Sequence, residues 1–373
     1  MKIGFDAKRA IQNNTGLGNY SRYVVEVLSD FFPDNLYVLF APKKRNNPRL
    51  GKILSRKNVL FVFPSRISKA FSSLWRIWNI KSDLKKQKIA IFHGLSNELP
   101  FGIQKTGIKS VVTIHDLIFL RYPEYYKPID RFIYRLKFKY ACQKADKIIA
   151  ISECTKRDII SFFRIPEEKI KVVYQGCHPA FEETISSEKK LLISRKYSLP
   201  SDFLLYVGSI ESRENLLLIA KALQSLDENI HLVAVGKKTP YQEEVEKFIS
   251  ENGLSNRVHI FNGISFDDLP AFYQLAKIFI YPSFFEGFGI PIIEALSGGI
   301  PVIAATGSCL EEAGGPDSLY IDPTDEKELA EKIKLLWNNP KLSLSMSKAG
   351  KEYAKRFSEE SIANELMKIY SSL

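Results

Sequence analysis

The string FFEGFGIPIIEAL (residues 284 to 296) concentrates the most chemistry in the chain, with two carboxylates, Glu286 and Glu294, eight residues apart around a Gly-Phe-Gly turn. Glycine costs conformational entropy, and its placement beside acidic groups at a strand-to-helix turn points to something binding there. The turn opens a helix, so Phe288, Gly289 and Ile290 would present N–H groups at its N-terminus, where phosphate or sugar oxygens are received. Glu294 would lie about two turns along, and each carboxylate could hold vicinal hydroxyls. A second constellation is IHD at the end of a strand pattern, with His115 able to donate to a sugar hydroxyl or phosphate and Asp116 able to accept. His93 ends the run IAIFHG in the same way. Lone strand-end histidines are as readily structural, His93 more so than His115. A third is TGLGNYSRYV (15 to 24), where Gly16 and Gly18 would let backbone N–H groups approach an anion at a helix start. It lacks the third glycine of the dinucleotide fingerprint and the GK[ST] of a triphosphatase loop. A plain turn would read alike.

These residues need a frame that brings strand ends together. Short β-branched runs alternate with stretches of helical length, the pattern of parallel sheets flanked by helices. Strands are expected at KIGFDA, LYVLFA, VLFVF, IAIFHG, SVVTIHD, KIIAIS and KVVYQG, then at FLLYVGS, HLVAVG, VHIFNG, IFIYPS, PVIAAT and SLYID. Each set suffices for one doubly wound α/β domain. The first helix, from Gly18 to Phe31, shows Val24, Val27, Leu28 and Phe31 on one apolar face. The polar segment 181–202 has no strong period and reads as the boundary. Two Rossmann-like domains are therefore expected, 1–180 and 181–357. In open α/β sheets ligands lie at the carboxyl ends of strands, here Asp6, His93, His115, Ser152, Gly208, Gly236, Gly263, Ser283 and Thr306. Two such sheets would leave a cleft for a two-substrate reaction.

Composition narrows the function classes. A chain of 373 residues with 45% apolar and 25% charged residues is a folded, globular protein rather than a disordered or fibrous one. The net charge of +11 is unevenly shared: residues 1–180 hold 33 basic against 14 acidic residues, and the remainder holds 20 against 28. A basic first half suits an anionic partner such as phosphate, an acidic membrane surface or nucleic acid. Cys142, Cys154, Cys177 and Cys309 show neither zinc nor disulfide spacing, and a reducing cytoplasm fits them best. The start MKIGFDAKRA has no apolar leader, and no membrane-spanning run occurs.

The string FFEGFGIPIIEALSGGIPVIA resembles the E-x7-E signature of retaining glycosyltransferase family 4, nucleotide-sugar enzymes of the GT-B fold. The resemblance extends over almost the whole chain, through GLGNYSR, VVTIHD, KIIAISECTKRDI, YVGSIESREN, LVAVGKK, FNGISFDDLPAFYQLA and IDPTDEKELAEKI in the expected order. It implies an N-terminal acceptor domain, a C-terminal nucleotide domain and a last helix, from about Ser358, that returns to the first domain. It also implies that Gly16 and Gly18 face donor phosphate and acceptor, and that His115 contacts the transferred sugar. Glu286 and the N–H groups of Phe288 to Ile290 would hold sugar hydroxyls and diphosphate, Glu294 the ribose. The base would lie near Gly236 and the turn Asn262-Gly263-Ile264. Retention would follow from front-face attack in which the leaving diphosphate helps take the acceptor proton, so Glu286 is not a nucleophile. No DxD triplet appears, so neither a metal nor a cofactor is expected beyond the nucleotide-sugar co-substrate. Mannose from GDP-mannose is the first donor the resemblance suggests.

The chain departs from the resemblance at Ser212-Arg213-Glu214-Asn215, where many members place a diphosphate-binding Lys at the position of Glu214. Either Glu214 turns into a pair with a neighbouring cation, or Arg213 and Lys237 carry the clamp between them; the second is the expectation. On the acceptor side, RISKAFSSLWRIWNIKSDLKKQK (66 to 88) sets Ile67, Phe71, Leu74, Trp75 and Trp78 at helical spacing among basic residues. Trp75 and Trp78 are expected to meet an anionic leaflet at the inner face of the cell membrane, as a lipid-linked acceptor would require. Ordinary packing on the sheet would give the same spacing. A GT-B epimerase or phosphorylase is the alternative chemistry. A nucleic-acid-binding module is not expected, because the basic half carries no reading motif.

Overall fold

The computed structural model describes residues 1–64 and 74–373, so Ile67 and Phe71 lie outside the described residues. The chain forms two compact units, Met1–Gln175 with Glu359–Leu373, and Gly176–Ser358. The first unit holds seven strands: β1 (Lys2–Asp6), β2 (Leu36–Phe40), β3 (Val59–Val62), β4 (Ile91–Gly94), β5 (Lys109–Ile114), β6 (Lys147–Ala150) and β7 (Ile170–Val172). They pair in the order β3-β2-β1-β4-β5-β6-β7, all parallel. The second unit holds β8 (Phe203–Val207), β9 (His231–Val235), β10 (Val258–Phe261), β11 (Ile278–Tyr281), β12 (Val302–Ala305) and β13 (Leu319–Ile321), ordered β10-β9-β8-β11-β12-β13 and also parallel. Every run read as a strand forms one. Strand order reverses between β1 and β4 and again between β8 and β11, the two positions where such sheets bind ligands.

The strands of the first sheet are apolar on both faces because helices cover both sides. Along β2, Tyr37 and Leu39 join one core cluster while Val38 and Phe40 join the other, the two-residue alternation of a strand. The first cluster is closed by the helix Gly16–Phe31, through Val24, Val27 and Leu28, and by the C-terminal helix Glu359–Ser371, through Ile362, Ala363, Leu366 and Tyr370. Each such fully buried side chain contributes about 1.5–3 kcal/mol. Phe31 departs from the expected apolar face: at the last turn of its helix it is exposed.

Three further expectations are corrected. The polar segment 181–202 contains a helix, Ser187–Tyr197, capped by Ser186, whose Oγ accepts from Lys189 N at 3.2 Å. Its period was obscured because it buries only Ile193 and exposes Leu191 and Leu192. The units change hands at Gln175/Gly176, a few residues before the expected 180/181. Trp75 is not a membrane anchor: it is 1% exposed inside the second core cluster, and its indole Nε1 donates to Asp83 Oδ2 at 2.7 Å. Trp78, three residues on, is exposed. No helix among the described residues is long and apolar enough to cross a membrane.

Candidate active site

Glu286 stands just beyond β11, on a loop whose backbone is tied to the turn after β8. Phe284 N donates to Arg213 O at 2.9 Å, Ser283 Oγ to the same carbonyl at 3.2 Å, and Arg213 Nη1 to Phe285 O at 2.5 Å. Asn215, held at φ 63°, adds bonds from Nδ2 to Pro282 O (3.1 Å) and Pro323 O (2.8 Å). On this base the Glu286 carboxylate is gripped by one oxygen only. Oε1 accepts from Ser283 Oγ at 2.8 Å, from Tyr281 OH at 3.2 Å and from Arg213 Nη1, whereas no described residue donates to Oε2. The side chain is 15% exposed. A carboxylate fixed by three donors at one oxygen and open at the other is oriented to accept hydrogen bonds from a ligand.

The following turn places Gly289 at φ 119°, a backbone conformation reserved for glycine, and a Cβ there would also press on Leu310 Cδ2 at 3.0 Å. Phe288 is buried with its ring edge-on to Phe357, and its carbonyl accepts from Cys309 Sγ at 3.0 Å. The helix starts at Ile290, so Glu294 lies little more than one turn in, closer to the N-terminus than its spacing from Glu286 suggested. Tyr273 OH donates to Glu294 Oε2 at 2.7 Å. Burial pushes the Glu294 carboxyl up to about 7, and the tyrosine bond opposes that rise. Tyr281 and Tyr273 escaped the sequence reading, and Ser283 was named only as a strand end. Their signal was position, in IFIYPS directly before Glu286 and on the helix facing Glu294.

Glu214 corrects the expected clamp. Its side chain turns inward, 6% exposed, and accepts from Tyr206 OH at 3.2 Å and Arg213 Nη2 at 3.3 Å. A Cβ on Gly208 would sit 2.2 Å from Glu214 Oε2, so this glycine makes room for the carboxylate. Burial, then the charge of Glu286, pushes Glu214 well above the ordinary carboxylate range, with Arg213 opposing. Arg213 is likewise buried, which works against its charge, yet Glu286 and Glu214 hold it protonated more firmly than usual. Arg213 thus positions Glu286 and neutralises two carboxylates.

Beside this network, at the ends of β8, β9 and β10, lies an open cavity of about 620 Å³ lined by Gly208, Gly236, Lys237, Lys238, Gly263 and Ile264 among others. One close backbone approach and one glycine turn shape it: a Cβ on Gly236 would be 1.9 Å from Gly208 O, and Gly263 holds φ 87° in open space. Asn262 is fastened to this frame, with Nδ2 donating to Gly236 O at 2.8 Å and to Gln242 Oε1 at 3.1 Å. The two exposed lysines bring positive charge to a wall otherwise built of backbone.

The N-terminal unit treats its strand-end residues differently. His93 is 0% exposed, with Nδ1 bonded to Tyr370 OH at 2.6 Å and Nε2 to Thr113 Oγ1 at 2.8 Å. Burial, then the charge of His115, lowers it to about 3. A ligand contact by the strand-end His93, expected on the acceptor side, is corrected: both ring nitrogens are used, and it joins the C-terminal helix to the sheet. His115 is 6% exposed and donates from Nε2 to Leu95 O at 2.9 Å, because a carbonyl can only accept. Its Nδ1 is therefore an acceptor, facing Gln175 Nε2 at 3.5 Å, and burial holds the ring neutral with its pKa near about 4. Asp116 Oδ1 accepts from Ile118 N at 3.1 Å, opening the short helix Ile118–Arg121. Gly16 and Gly18 fall inside the first turn of their helix, with Thr15 at the N-cap position making no side-chain cap bond. Gly18 is required by the chain itself, since a Cβ would lie 1.9 Å from Asn13 O, whereas Gly16 faces open space. Arg22 ties the preceding loop, donating to Ala10 O at 2.7 Å and Asn13 O at 2.8 Å.

Comparison with known proteins agrees with this frame. Residues 22–181 match the family model of Glycosyltransferase Family 4, and residues 192–353 match that of Glycosyl transferases group 1. The chain is 26% identical to the O-antigen chain mannosyltransferase B of Escherichia coli over 100% of both chains. It superposes on a glycosyltransferase from Rickettsia africae with a TM-score of 0.78 at 19% identity, covering 100% of this chain and 98% of the other. It superposes on Anabaena HepE, solved with UDP and glucose, with a TM-score of 0.77 at 18% identity over 100% of both. Two matched models that between them take in nearly the whole sequence, on a frame of two parallel sheets, lead to one conclusion: the chain belongs to the family 4, group 1 type of glycosyltransferases and has the GT-B fold.

Proposed function

We propose that the protein is a retaining hexosyltransferase that moves mannose from GDP-mannose to a glycan or lipid-linked oligosaccharide during envelope polysaccharide synthesis, on the cytoplasmic side of the membrane. The observation that carries this reading is the Glu286 carboxylate, locked at Oε1 and open at Oε2, in the unit whose strand ends also form a lysine-edged cavity. The full-length relative named a mannosyltransferase supports the sugar, and the UDP and glucose bound to HepE support a nucleotide-sugar donor. In this reading the acceptor hydroxyl attacks the anomeric carbon on the face from which diphosphate departs. The carbon–oxygen bond to diphosphate breaks as the new glycosidic bond forms, and the acceptor proton passes to a departing phosphate oxygen. Lys237, Lys238 and the amides of Gly289 and Ile290 stabilise the leaving charge. Glu286 Oε2 accepts from sugar hydroxyls, and Glu294 accepts from the ribose through the oxygen that Tyr273 leaves open. His115, with Nδ1 as an acceptor, receives a hydroxyl proton in a hydrogen bond and does not donate one.

Transfer by these groups requires neither a metal nor a further cofactor. Activity should persist in EDTA; its loss, with recovery on adding Mg²⁺ or Mn²⁺, would reject that part. A thermal-shift screen of nucleoside diphosphate sugars selects the donor, since a ligand at 100 times its dissociation constant stabilises by roughly 2.7 kcal/mol. Nucleoside diphosphate should then appear only when acceptor is added, with the α-linkage of the donor kept in the product. Release without acceptor would mean transfer to water, and conversion of the donor into a second nucleotide sugar would assign the site to an epimerase instead.

A further inference from the structure

The helix Pro128–Lys144 has two apolar faces, and only one of them is used. Phe138, Ala141 and Cys142 are buried in the second core cluster of the N-terminal unit. On the opposite side Ile129 (68% exposed), Phe132 (63%), Ile133 (40%) and Leu136 (56%) follow the three- and four-residue spacing of a single stripe. The stripe continues at Tyr140, whose ring lies 4.3 Å from Phe101, and Phe101 stacks on the exposed Trp78 at 5.1 Å. Single exposed apolar residues need no explanation, but a contiguous run of them marks an interaction surface. Residues 127–144 carry six cations and one carboxylate. Helical spacing sets Arg135 and Lys139 along one edge of the stripe and Lys144 along the other, beside Lys137, which is paired with Glu98 at 3.2 Å.

We propose that this face is a docking surface for an anionic phospholipid bilayer, with Phe132 and Leu136 dipping into the interface and the flanking cations over the headgroups. An apolar stripe edged on both sides by cations and ending in stacked aromatic rings is the pattern of a helix lying in a bilayer interface. Charge decides against a second copy of the chain as the occupant. A self-complementary contact would set these cationic edges against each other, in a region with 33 basic and 14 acidic residues over positions 1–180. The inference moves the lipid contact from Trp75, which is core, to an adjacent helix, and it does not depend on the donor chemistry.

Sedimentation with vesicles of equal parts phosphatidylglycerol and phosphatidylcholine, against phosphatidylcholine alone, tests it. The parent should bind the anionic vesicles and release them as salt rises. Phe132→Ser with Leu136→Ser should lower the partition about tenfold or more, as should Arg135→Glu with Lys139→Glu, both without change in melting. All four side chains are exposed or at the stripe, so folding is not at stake. Equal binding to both vesicle types, or either double variant sedimenting like the parent, overturns the proposal. A parent that is dimeric by analytical ultracentrifugation and becomes monomeric in the serine variant also overturns it, since a second copy then covers the stripe.

Discussion

The two units use the same architecture to opposite ends. At the β1/β4 reversal the polar strand-end residues are satisfied from within. Asp6 accepts from Arg76 Nε at 2.7 Å, His93 is bonded at both ring nitrogens, and Gly18 serves the loop before its own helix. At the β8/β11 reversal the polar groups are held but not exhausted: Glu286 keeps an open oxygen, and the cavity wall is backbone and lysine. A strand-end position is therefore a place where chemistry can occur, and the supply of internal partners decides whether it does.

Substitutions at matched positions put that contrast at risk. Glu286→Ala should cut turnover by about a hundredfold or more, roughly 2.7 kcal/mol of barrier, while melting like the parent because Arg213 retains Glu214 as a partner. Turnover above about a tenth of the parent rate would remove Glu286 from the site. In the N-terminal unit the signature should invert. Trp75→Ala should lower stability by about 3–5 kcal/mol and His93→Ala by about 1–3 kcal/mol through the unpaired Tyr370 hydroxyl, since Thr113 keeps its bond to Tyr20 at 3.0 Å, both with turnover per folded molecule intact in denaturation-corrected assays. Trp78→Ala, at the surface, should change melting little.

Glycines offer a finer comparison. Gly236→Ala drives a Cβ against Gly208 O and should cost about 2–3 kcal/mol in chemical denaturation, with loss of nucleotide binding. Gly263→Ala meets no atom within 4 Å and should cost about 1 kcal/mol, from its positive φ alone. Equal costs would mean that the two strand ends are not in close approach. The smallest effect concerns pH. Glu294 is raised to about 7 from the ordinary 4.5, so the unfolded chain loses this proton first and the fold keeps it. The stability this contributes is complete below the unfolded pKa and is lost as pH rises toward 7. Melting followed from pH 5 to 8 should fall less steeply in Glu294→Gln than in the parent.

Both sheets were legible because each strand is a short β-branched run bounded by turn residues, and the Glu286 loop was legible because its glycines and acids have no other use. Facing direction was not. Helical spacing placed Trp75 and Trp78 on one amphipathic stretch, but one is core and the other surface, since only the sheet beneath decides which side is covered. The outer stripe of Pro128–Lys144 was hidden for the same reason: apolar residues on both faces blur the period that identifies either. The choice at Glu214 depended on Tyr206, eight residues back at the end of β8, offering a buried hydroxyl. No local pattern contains that fact.

The central claim is that the donor nucleotide is bound by the C-terminal unit at the ends of β8, β9 and β10. Calorimetric titration of nucleoside diphosphate into the parent, Lys237→Ala with Lys238→Ala, and Glu286→Gln tests it most directly. The lysine variant should bind about 1–3 kcal/mol more weakly, the range for charge-assisted contacts, while Glu286→Gln, whose proposed contact is with the sugar, should bind the diphosphate as the parent does. A lysine variant with unchanged affinity would contradict a donor site in this cavity.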